Sequence, residues 1–133
     1  MTTSSSARFE ALAQSTYVSI ESYRKSGETV RTPVNIMSDE DKLYCWTPGN
    51  SGKVKRIRNN ETVNLAKCNA RGKVEGEWVH AKARVVEDRD EARVLSRRLA
   101  DKHGLPYMIG MPLFRLYCFL RGEPCLCIEF SLV

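Results

Sequence analysis

The sequence predicts a mainly β fold, a small antiparallel β-barrel with short helices, and three observations lead there. Apolar and polar residues alternate with period two in segments spread from Tyr17 to Leu132, the pattern of half-buried strands. Tight-turn signals such as Lys25-Ser26-Gly27-Glu28 and Asn69-Ala70-Arg71-Gly72 join these segments in hairpin order. About six strands connected this way would leave bare edges, and curling into a closed or split barrel removes them. At 133 residues the chain is read as one domain over 1–133, with residues 1–6 as a disordered polar tail.

Composition narrows the function classes only a little. A hydrophobic fraction of 42% and a charged fraction of 28% are ordinary for a globular protein. The net charge of +5 favours anionic ligands without choosing among them. Five cysteines form no disulfide framework, the N-terminal stretch has no apolar secretory core, and no apolar run reaches spanning length. The expectation is a reduced cytoplasmic protein with no membrane partner.

Taken in order, Ser6 is placed to cap a short helix that turns Phe9 and Leu12 inward. Tyr17 to Glu21 alternates as the first strand, with Val18 and Ile20 inside. Thr29 to Met37 is the second, with Val30, Thr32, Val34 and Ile36 on one face. Pro33 cannot donate to a ladder, so this strand should lie at an edge or be locally open. A turn at Ser38 to Asp41 leads back into Leu43 to Thr47, which would complete a three-strand meander.

Next comes Pro48-Gly49-Asn50 and a basic helix starting at Ser51. Thr62 to Asn69 and Trp78 to Val86 are two more strands. Asp88 or Asp90 should cap a helix that Gly104 stops after His103, with Val94, Leu95 and Leu99 as its apolar stripe. Leu105 to Leu120 is apolar but interrupted by Pro106, Gly110 and Pro112, and reads as irregular or helical. Cys125 to Leu132 closes as a strand with Leu126, Ile128, Phe130 and Leu132 on the core face. Cys125 and Cys127 then lie on its outer face, where a packed covering layer is the simplest reading.

The stretch richest in chemistry is 43–59. Lys53, Lys55, Arg56 and Arg58 crowd the first turns of the basic helix, where cations normally oppose the dipole. An anion at the unpaired N–H groups of the helix start would reverse that penalty. Thr47 and Ser51 could add hydroxyls, while Val34, Tyr44 and Trp46 could supply an apolar wall. A solvated basic face and a nucleic-acid surface are the competing readings, but there is no partner helix for a helix-turn-helix and no aromatic RNA-binding signature. Rossmann and Walker A spacings are missing. Nucleophile signatures and zinc spacings are missing too, and His80 and His103 stand alone, so no metal is expected.

The segments Arg31-Thr32-Pro33-Val34, Leu43 to Thr47 and Ser51 to Arg58 resemble the pyridoxamine 5′-phosphate oxidase-like flavin-binding split barrels. They are most similar to the small branch dependent on the deazaflavin coenzyme F420. Val63 to Cys68, Gly72-Lys73 and Gly76 to Val79 extend the likeness, as do Lys102 to Gly104 and Ile128 to Leu132. It spans about Tyr17 to Leu132.

This resemblance implies a six-stranded antiparallel split β-barrel that forms a homodimer with two cofactor sites at the subunit interface. It implies cofactor-phosphate contacts from Thr47, Ser51 and Lys53, with added charge from Lys55 and Arg56 and with Gly52 among the cofactor-binding residues. Arg31, Thr32, Pro33 and Val34 would hold the ring of FMN or F420. Trp46 would sit beside the phosphate-binding Thr47, and Trp78 would reach in from the other subunit. Gly52 stands where the vitamin B6 oxidases have Arg, and their C-terminal Arg/His motif has no counterpart near Cys125 to Val133, so pyridoxamine phosphate oxidation is not expected.

The expected function is therefore a flavin- or deazaflavin-dependent oxidoreductase acting on a small organic molecule. A non-catalytic flavin or haem carrier on the same barrel is the alternative, and nucleic-acid binding through the basic helix a weaker one. The cofactor would carry the hydride, so no catalytic residue is named. Tyr44, Tyr107 and His80 are the side chains considered as proton sources.

Overall fold

The computed structural model describes residues 5–133. Among these, seven strands form one antiparallel sheet: β1 (Tyr17–Tyr23), β2 (Thr29–Asn35), β3 (Met37–Asp39), β4 (Lys42–Pro48), β5 (Thr62–Cys68), β6 (Val79–Val86) and β7 (Cys125–Leu132). Four helices accompany them: α1 (Ser5–Ala13), α2 (Gly52–Asn59), α3 (Arg89–His103) and α4 (Leu105–Leu120).

Across the sheet the order is β2-β1-β5-β6-β7-β4-β3. Its two outermost strands, β2 and β3, are consecutive in the chain and separated by Ile36 alone. One residue cannot bridge a flat sheet of this width, since neighbouring strands lie about 4.8 Å apart. The sheet therefore curls until its two edge strands adjoin at Ile36 without pairing, giving the half-barrel of a split-barrel fold.

That corner explains two differences from the sequence reading. The segment read as one strand over Thr29 to Met37 breaks at Ile36, whose side chain is buried in the core and whose N–H donates to the Thr16 carbonyl at 3.2 Å. Hence there are seven strands where six were expected. The meander also dissolves, because β4 pairs with β3 and β7 and not with β2. Pro33 does lie on an edge strand, opposite Ser19 of β1.

Inside the curl, Val18, Ile20, Leu43, Leu65, Ile128 and Phe130 are fully buried together, and Leu12 and Phe9 of α1 close one end. Val54 and Ile57 pack α2 against the same core. The opposite faces of β4, β6 and β7 carry a second apolar layer, in which Tyr44, Val86 and Cys127 meet Leu95 and Leu99 of α3 and Tyr107 and Met111 of α4. Cys125 and Cys127 thus belong to a covered strand face, as their spacing suggested, and all five thiols are free.

Asp88 caps α3 by accepting from the Asp90 and Glu91 N–H groups at 2.8 and 3.0 Å, and Gly104 ends it at φ 68°. Val94, expected in the apolar stripe, is 60% exposed. The 105–120 segment is helical throughout. Pro106 occupies the first turn, where a missing N–H costs nothing, and Pro112 removes one internal rung. Helix α1 already includes Ser5 and Ser6, so Ser6 lies within it rather than capping it; the rest of the segment read as a tail falls outside the described residues. Trp78 immediately precedes β6. Among the described residues, no helix is long and apolar enough to cross a membrane.

Candidate functional site

Strand β4 ends at Pro48, and Gly49 to Ser51 turn the chain into α2. The turn is tightly held: the Gly49 N–H donates to the Pro124 carbonyl at 2.7 Å, and a Cβ on Gly49 would stand 2.4 Å from the Pro124 ring. Only glycine fits that approach. Ser51 occupies the N-cap position but makes no capping hydrogen bond. Its hydroxyl lies instead 3.2 Å from that of Thr47, which is buried. The first turn of α2 contains no acidic side chain, so two neighbouring hydroxyls and the first N–H groups of the helix stand together; the Glu123 carboxylate accepts from the Asn50 N–H at 3.0 Å in the turn before it.

Lys53 follows two residues later. It is half-buried and forms no ion pair or hydrogen bond with any described residue. Burial is the main cause of a pKa below the ordinary lysine value. The Cys45 side chain opposes that shift, and nearby Arg56 adds to it. Cys45 itself is fully buried, and its thiol is pushed up to about 12.

Lys53 lines an open cleft of about 660 Å³ between the barrel and the α3–α4 pair. One wall is the edge strand β2 at Pro33, Val34 and Asn35, continuing through the corner to Met37. Being an edge, β2 leaves one row of backbone N–H and C=O groups without ladder partners, which suits the polar rim of a flat heteroaromatic ring. Trp46 and Thr47 form the floor, and Tyr107, Met111 and Phe114 of α4 form the facing wall. A volume of this size lies within the range of cofactor and small-molecule sites.

Of the residues singled out from sequence, the cleft brings together Pro33, Val34, Trp46, Thr47 and Lys53. Ser51 adjoins it through Thr47. The others lie apart from its lining. Arg31 donates to Glu21 at 3.0 Å and stacks 4.7 Å over Trp78, which places this pair on the outer side of the strand. Thr32 is half-buried opposite Ile20. Arg56 donates to the Ser22 hydroxyl at 2.7 Å, and its guanidinium folds back over Gly52, where a Cβ would come within 2.7 Å of it. Lys55 is exposed, and Arg58 pairs with Glu87. The basic helix therefore does not present its cations as one face for a phosphodiester backbone.

Tyr107 and His103 complete the cleft. The Tyr107 hydroxyl is 2.7 Å from that of Ser96, and burial pushes its pKa up. Trp46 Nε1 is buried with no hydrogen-bond partner, and the Tyr107 hydroxyl is its polar neighbour. His103 donates through Nε2 to the Ser38 carbonyl at 2.9 Å. Of the three proton sources considered, only Tyr107 lines the cleft. Tyr44 donates to Glu129 at 3.4 Å under α3, and His80 sits 2.5 Å from the Asn64 amide oxygen.

No family model matches the sequence, and no curated protein does. Solved structures match over nearly the whole chain at low identity. A FAD-binding protein from Mesorhizobium loti aligns at a TM-score of 0.63 and 10% identity, covering 98% of this chain and 88% of its own. A protein related to general stress protein 26, of the pyridoxinephosphate oxidase family, from Clostridium acetobutylicum gives 0.64 and 14%, covering 92% and 79%. A conserved hypothetical protein from Mycobacterium tuberculosis gives 0.67 and 12%, covering 97% and 80%. At such identities the likeness shows a shared fold. The chain has the split-barrel fold of pyridoxamine 5′-phosphate oxidase-like and flavin-binding proteins.

Proposed function

We propose that, on the split barrel it shares with these proteins, the chain binds FMN or the deazaflavin F420 through its phosphate and acts as an oxidoreductase on a small organic substrate. One observation carries the reading: Lys53 is a half-buried ammonium with no acidic partner, lining the same cleft as Thr47, whose hydroxyl lies 3.2 Å from that of Ser51 at the start of α2. An unpaired charge held away from water is costly, and a phosphate is the group whose arrival offsets that cost. The residues present thus suit a phosphorylated cofactor.

Lys53 would hold the phosphate by charge, Thr47 and Ser51 would orient it, and the first N–H groups of α2 would complete its hydrogen bonds. Pro33 and Val34 would lie along the ring with the free backbone edge of β2 facing its polar atoms, while Trp46 would exclude water from below. Once bound, the flavin or deazaflavin supplies the hydride chemistry. Tyr107 would hold a proton at its hydroxyl, fixed by Ser96, on the wall facing β2. Arg31, Thr32, Gly52, Lys55, Arg56 and Trp78 lie outside the cleft of one protomer; in a homodimer with interfacial sites, Arg31 and Trp78 would be offered to the partner's cofactor.

Purified protein equilibrated with FMN, F420 or haem and then freed of unbound ligand tests this by its absorbance spectrum. A retained flavin or deazaflavin band supports the reading. A haem Soret band, or no retained chromophore, overturns it.

A further inference from the structure

Helix α4 is apolar on every side, yet the protein covers only one of them. Tyr107, Met111 and Cys118 pack inward. On the opposite side Leu105, Ile109, Leu113, Leu116, Phe119 and Leu120 form one continuous stripe, with Phe119 77% and Leu120 75% exposed. Each leaves on the order of 100 Å² uncovered, so together they reach the upper end of the apolar patch of about 300–600 Å² found on a typical monomer. A helix apolar all round is normally buried all round.

The charges around the stripe say what covers it. The segment from Arg89 to Arg121 contains seven Lys or Arg and three Asp or Glu; of the cations, Arg98 is paired with Asp39 and Glu40, Arg121 with Glu123, and Lys102 donates to Ser38. Arg89, Arg93 and Arg97 follow at four-residue spacing on one exposed row of α3. Ser96, beside Arg97, is bonded to Tyr107 of α4, so this row runs along the flank nearest α4. Arg89 and Arg97 have no ion pair among the described residues, and Arg93 has only a loose one, 3.9 Å from Asp90. Arg115 is the one charged side chain within α4.

We propose that the α4 face docks on an anionic lipid bilayer surface, with the helix lying in the interface and the α3 arginines against the headgroups. The 16 residues of α4 rise about 24 Å, short of the ~30 Å hydrocarbon layer, so the helix lies on the membrane and does not cross it. An apolar helix face flanked by arginines is the pattern of interfacial binding, and anionic lipid satisfies both halves of it. A second copy would satisfy only the apolar half, because it carries the same net charge of +5 and brings no surplus of anions to the α3 arginines. This inference does not depend on the cofactor reading, and the residues substituted to test it are none of that site's.

Co-sedimentation of the full chain with lipid vesicles tests it, comparing phosphatidylcholine alone with phosphatidylcholine containing phosphatidylglycerol. The chain should pellet with the anionic vesicles and bind the neutral ones roughly ten-fold more weakly or worse. Combined Leu113→Ser, Phe119→Ser and Leu120→Ser should abolish binding, with circular dichroism confirming an unchanged fold. Arg93→Glu with Arg97→Glu should lose at least about five-fold per removed cation. A chain that stays in the supernatant with anionic vesicles overturns the proposal, as does a serine variant that binds like the parent. If the serine variant only turns a dimer into a monomer by light scattering, with vesicle binding unchanged, the face belongs to a second copy.

Discussion

Lys53 is half-buried with no counter-ion, and its pKa lies below the ordinary 10.5 chiefly because of that burial. The folded protein therefore releases this proton at lower pH than the unfolded chain does. Between the lowered value and 10.5 the unfolded state binds more protons, so this group's contribution makes stability rise with pH across that window. Anion affinity runs the other way, since only the ammonium attracts phosphate. FMN affinity should therefore start to fall at a pH below 10.5, and Lys53→Arg, which keeps its charge, should flatten the decline. A titration series over alkaline pH checks both. The junction that carries Lys53 was legible in the sequence because hydroxyls and cations crowd a strand-turn-helix boundary. The fate of Arg56 was not, because its anchor, the Ser22 hydroxyl, lies 34 residues away on β1.

At the scale of elements, local chemistry was readable wherever the signal was local. A helix cap at Asp88 or Asp90 and a stop at Gly104 both follow from spacing within a few residues, and the structure uses Asp88. Asp88→Ala should cost about 1 kcal/mol, seen as a lower thermal midpoint by circular dichroism, because it strands the Asp90 and Glu91 N–H groups. The break between β2 and β3 was not readable. Thr29 to Met37 alternates without interruption in the sequence, and only barrel closure decides that Ile36 turns a corner. Likewise α4 shows no period from which to choose a face, since nearly all its residues are apolar. The cleft wall of Tyr107, Met111 and Phe114 therefore emerges only when α4 is packed.

For the molecule as a whole, the curl of one sheet sets everything else. It gathers the alternating apolar residues into the barrel interior and leaves the outer faces of β4, β6 and β7 to be covered by α3 and α4. Burial under that cover raises the Cys127 thiol, and burial pushes Cys45 and Cys125 up to about 12. Native protein at neutral pH should therefore react slowly with a thiol reagent, and all five cysteines should become reactive on denaturation. Rapid modification of Cys45 or Cys127 in the native state would contradict this packing.

The cleft between barrel and helices is the second product of the curl, and its claim to a cofactor rests on Lys53. Titration of FMN and F420 by fluorescence into the parent protein and Lys53→Ala is the most direct measurement. A charge-assisted bond to phosphate is worth roughly 1.5–3 kcal/mol, so the variant should bind the favoured cofactor about 10- to 100-fold more weakly. Equal affinity in the two proteins would contradict the assignment of Lys53 to a phosphate.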